Sequence, residues 1–82
     1  MKDIVYRTKG TCSREIHIKL DDENVISFCE FIGGCAGNTT GLARLVIGMS
    51  AQDAIQKLKG IPCGVRNTSC PDQLARALES NL

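Results

Sequence analysis

Tryptophan is missing, and one tyrosine and two phenylalanines are the only aromatic residues. A surface that stacks nucleic-acid bases needs rings set among basic side chains, and the ten scattered lysines and arginines show no such interleaving. Charge of one sign is lacking too. Ten basic against nine acidic residues leave +1, which selects neither nucleic acid nor an anionic membrane as partner. No apolar run approaches the roughly 18 residues of a membrane span. The start, "MKDIVYRTKG", carries charges at Lys2, Asp3, Arg7 and Lys9 without an apolar stretch between them, so no signal peptide is expected. The single histidine forms no legible Ser–His–Asp or Cys–His set. Both glycine-rich phosphate patterns are absent from residues 32–41, despite the strand, glycine corner and helix outlined there.

What is present is cysteine, five in 82 residues. A chain this short forms one domain that buries only about 60–65% of the surface it exposes when unfolded. A metal or a partner often supplies the stability such a thin core lacks. An odd number of thiols argues against a closed disulfide framework, and a cytoplasmic location, where thiols stay reduced, is the expectation.

"DIVYRTK" (3–9) mixes β-branched and aromatic residues and predicts a strand. "REIHIKL" (14–20) alternates, with Ile16, Ile18 and Leu20 facing one way and Glu15, His17 and Lys19 the other. "DDEN" (21–24) has turn chemistry, and "VISFCEF" (25–31) completes a hairpin. A glycine-rich corner, "IGGCAGNTTG" (32–41), follows. A helix is predicted from about Thr39 or Thr40 to Gly48, with Leu42, Leu45, Val46 and Met49 at core spacing. Ser50 and Asp53 form a capping pair for a second helix, "AQDAIQKLK", with Ala54, Ile55 and Leu58 on its apolar face and Gly60 as its stop. The last helix is predicted from about Pro71 to Leu82, burying Leu74, Ala75, Leu78 and Leu82. The order β-β-β-α-α-α implies an α+β fold: a three-stranded antiparallel sheet with three helices on one face.

Cys12, Cys35, Cys63 and Cys70 all fall at boundaries between these elements, where side chains can be aimed at one point. Cys29 lies inside a strand and reads as a packing residue. Cys70 sits at or beside the cap of the last helix, whose amino end carries a partial positive charge that favours thiolate, the form that binds metal. Four such sulfurs suit zinc or an iron–sulfur cluster. Their convergence would close loops of 22, 27 and 6 intervening residues. Inert packing and a redox thiol pair are the competing readings. Arg14 and Arg66 flank the cysteine loops and could offset a doubly negative site; solvated surface charge is the simpler reading. His17 is expected to face away from the core. Asp72 and Gln73 fall in the first turn of the last helix, where Asp72 complements the dipole or bonds backbone amides.

The stretch "TSCPDQLARAL" resembles the motif that names the TSCPD domain, and the likeness extends through "GGCAGN" (33–38), "LVIGMS" (45–50) and "LKGIPCG" (58–64). Such domains occur as small free-standing proteins and near the carboxyl end of cobalamin-dependent ribonucleotide reductases. The resemblance implies a metal-binding accessory module with Cys12, Cys35, Cys63 and Cys70 as ligands, acting with a larger enzyme in deoxyribonucleotide synthesis. Alternatives are an iron–sulfur scaffold or carrier, or a ribonucleoside-diphosphate reductase component; 82 residues are far too few for reductase catalysis alone. In order of elements the chain also resembles the U-type iron–sulfur scaffolds. Arg14 stands where their first-loop aspartate falls, Ser69 where their histidine falls, and Cys63 is extra. These departures favour a closed four-thiolate site, with zinc ahead of a cluster.

Overall fold

The computed structural model describes residues 1–11, 13–34, 36–62, 64 and 67–82, and the backbone alone of Ala36. Cys12, Cys35, Cys63 and Arg66, singled out above, lie outside the described residues. Three strands, β1 (Lys2–Arg7), β2 (Ser13–Leu20) and β3 (Ile26–Gly33), precede three helices, α1 (Ala36–Val46), α2 (Ala51–Leu58) and α3 (Cys70–Glu79). The strands form one antiparallel sheet in the order β1-β2-β3. The fold is α+β, as the element order predicts.

Alternation decides which face is covered. Ile18 pairs with Ile4 on one side and Cys29 on the other, and Ile16 lies between Tyr6 and Phe31. This face joins Ala43, Val46, Ala51, Ala54, Leu74, Ala77 and Leu78 from the helices in one hydrophobic cluster. Cys29 is 7% exposed within it, a packing residue as expected. His17 is on the opposite face, with Nε2 3.3 Å from Glu15 Oε1.

The β2–β3 turn is built by Asp21, whose Oδ1 accepts from the N–H groups of Glu23 and Val25 at 2.8 and 2.9 Å, while Asn24 takes φ +60°. The α1–α2 turn is stitched to the same end of the sheet. Gly48 N–H donates to the Ile26 carbonyl, Ile26 N–H to Met49, and Ala51 N–H to Asn24, each at 2.8 Å. Gly48, at φ +93°, makes the left-handed exit expected of it. Ser50 caps α2 as predicted, its hydroxyl accepting from Asp53 N–H at 3.1 Å.

Three expectations are corrected. Helix α1 begins at Ala36, not at Thr39 or Thr40, so the glycine corner shrinks to Gly33 and Gly34, both at positive φ. Gly37 and Gly41 are helical, with open space where a Cβ would stand. The face of α1 is then set by Thr39, Ala43 and Val46, which turns Leu45 out to 76% exposure. Finally, α3 ends at Glu79 and leaves Leu82 48% exposed.

Candidate functional site

The five residues Thr68–Asp72 fix the start of α3 through complementary bonds. Ser69 is the N-cap: extended at φ −150°, its hydroxyl accepts from Asp72 N–H at 3.2 Å and donates to the Ile61 carbonyl at 2.6 Å. Cys70 is the first helical residue and Pro71 the second, where a missing N–H leaves no helical bond unmade. Asp72 is fully buried. Its carboxylate accepts from Gly60 N–H at 2.6 Å, from Arg76 Nε at 2.8 Å and from the Thr68 hydroxyl. Burial alone would push this carboxyl up. The bonds from Thr68, Arg76 and Gly60, with the Arg76 charge, outweigh burial and hold it below the ordinary carboxylate value.

Gln73 extends the arrangement. Its Nε2 donates to the Thr68 hydroxyl and its Oε1 accepts from Lys9 N–H, both at 3.0 Å. Gly10, at φ +75°, packs so near that an added Cβ would lie 3.1 Å from the Thr68 methyl. The start of α3 thus clasps two distant segments: residues 9–10 through Gln73 and Thr68, and residues 60–61 through Asp72 and Ser69.

Cys70 is half-buried at this junction. Its Sγ lies 3.3 Å from Ser13 Oγ, and Ser13 pairs with Gly33 across the sheet. At that distance either the hydroxyl or the thiol can donate to the other. A depression of about 530 Å³ opens at Ser13, lined also by Arg7, Thr8, Arg14, Glu15 and Ile32. Among the described residues no three His, Cys, Asp or Glu side chains group as metal ligands; of the four predicted ligands only Cys70 is among them. Cys29 stands apart from this setting: desolvation pushes its thiol up to about 12.

The supporting residues were only partly legible. Ser69 and Asp72 stand at the spacing of a helix cap, and the expected bond from Asp72 to a backbone amide is made by Gly60. Gln73 carried no comparable signal, because its partner Lys9 is distant in the chain.

A cysteine opening the last helix of a β3α3 domain, locked by its own flanking motif, defines the class of protein. A family model for the TSCPD domain matches residues 2–82, and the chain belongs to that family. No curated protein and no solved structure matches the chain.

Proposed function

We propose that this TSCPD protein is a cytoplasmic metal-binding accessory module. In this reading Cys12, Cys35, Cys63 and Cys70 hold zinc, or in second place an iron–sulfur cluster, and the module serves a larger enzyme such as a ribonucleotide reductase. One observation carries it: chain neighbours of the other three cysteines are tied to the Cys70 junction. Ser13 follows Cys12 and reaches Cys70 Sγ. Gly33, two residues before Cys35, pairs with Ser13. Ile61, two residues before Cys63, accepts the Ser69 hydroxyl. Four thiolates around zinc make a closed structural site, which would cross-link the sheet end to α3 and supply stability that a small core lacks.

Elemental analysis of anaerobically prepared protein tests this directly. About one zinc per chain and no colour is the expected result. A brown, air-sensitive chromophore would assign the cluster instead. Cys70→Ser should release the metal and lower the melting temperature, and unchanged metal content would refute the shared site. For the partner, co-purification with a reductase is the expected outcome, and no binding to it would remove that assignment while leaving the metal site standing.

A further inference from the structure

Among the described residues no helix covers the second face of the sheet, and register arranges its side chains in three rows. Asp3, Lys19 and Phe28 form the first, Val5, His17 and Glu30 the second, Arg7, Glu15 and Ile32 the third. An antiparallel sheet left open to water normally turns polar residues outward. Here Val5 is 66% exposed and Phe28 39%, beside a depression of about 200 Å³. The charges are also ordered, with opposite signs at the two ends of β1 and of β2.

We infer that this face packs on the same face of a second copy of the chain, about a two-fold axis running across the strands through the Val5–His17–Glu30 row. Symmetric packing of two such faces offers two aligned arrangements. With the axis across the strands, the first row of each copy covers the third row of the other. Asp3 then meets Arg7, Lys19 meets Glu15, Phe28 meets Ile32, and Val5 meets its own symmetry mate. With the axis along β2, Lys19 would meet Lys19 and Glu15 would meet Glu15, while Arg7 would bury Ile32 and Asp3 would bury Phe28. Charge complementarity selects the first arrangement. His17 meets its mate at the centre of the row, and Glu30, on an edge strand as Val5 is, meets its mate where water and salt screen the pair. Three side chains from each of three short strands make a small interface, so the dimer is weak and salt-sensitive.

Sedimentation of the full chain from about 5 µM to about 1 mM tests the inference. A monomer–dimer equilibrium is expected, weakening several-fold as salt rises from about 50 to about 500 mM. Lys19→Glu should weaken it about tenfold or more, and adding Glu15→Lys to that variant should restore it to within about fivefold. Val5→Arg, which replaces an apolar contact on the axis with like charges, should weaken it about tenfold or more. A native chain that stays monomeric at about 1 mM in low salt overturns the inference. So does a dimer indifferent to Lys19→Glu, or a charge exchange that restores nothing. Far-UV circular dichroism confirms that each variant folds; should the exchanged pair unfold, Val5→Arg and the salt series decide.

Discussion

Asp72 keeps a negative charge where no solvent reaches it, and three donors from three segments make that possible. Asp72→Asn removes the charge and turns an N–H₂ group toward other donors, so it should lower unfolding free energy by about 2–3 kcal/mol in urea titrations. The pH dependence has a definite sign. The folded carboxyl ionises below its unfolded value of 3.8, so its contribution is fully present above that value. It is lost as pH falls through the depressed folded value, and Asp72→Asn should flatten this acid limb. Cys29 gives the opposite limb. Its thiol stays protonated up to about 12 against an ordinary 9.0, so its contribution is intact below pH 9 and declines as pH rises from 9 toward 12. Thiol-specific reagents should modify Cys29 only at the rate of unfolding, whereas Cys29→Val, which keeps a small apolar group, should cost less than about 1.5 kcal/mol.

At the scale of elements, α1 shows how a helix's register is decided by what it packs on. Leu45 and Val46 are adjacent, and both fit an apolar period, yet one is 76% exposed and the other 2%. Val46→Ala should cost about 1.5–3 kcal/mol, and Leu45→Ala should stay within about 0.5 kcal/mol. Thermal denaturation of the two variants reads the phase of the helix directly. Glycine divides the same way. Gly41 is helical with open space at its Cβ position, so Gly41→Ala should stabilise by about 0.5–1 kcal/mol. Gly48→Ala forces a left-handed conformation at φ +93° and should destabilise by about 1–2 kcal/mol.

At the scale of the molecule, one covered sheet face and one hydrophobic cluster serve a chain with little core to spare. In the proposed metal-bound form, chelation should lower the midpoint of a single cooperative unfolding transition rather than melt one end of the domain, as calorimetry with and without chelator would show. A metal-stripped, unfolded sample prepared without reductant should titrate as five free thiols per chain, matching the five cysteines. Among the described residues no helix is long and apolar enough to cross a membrane.

Local patterns in the chain were enough to determine the three strands, the cap at Ser50, the left-handed exit at Gly48 and the burial of Ile16, Ile18, Leu74 and Leu78. Each depends on neighbours within about four residues, where period and capping chemistry act. Packing between distant segments decided the rest. It turned Leu45 outward, brought the Gly60 amide to the Asp72 carboxylate, and set Ser13 against Cys70. Among the described residues it also left one sheet face without a helix. Such contacts join groups up to 64 residues apart, as Lys9 and Gln73 are, and no local period in a sequence encodes which of them will meet.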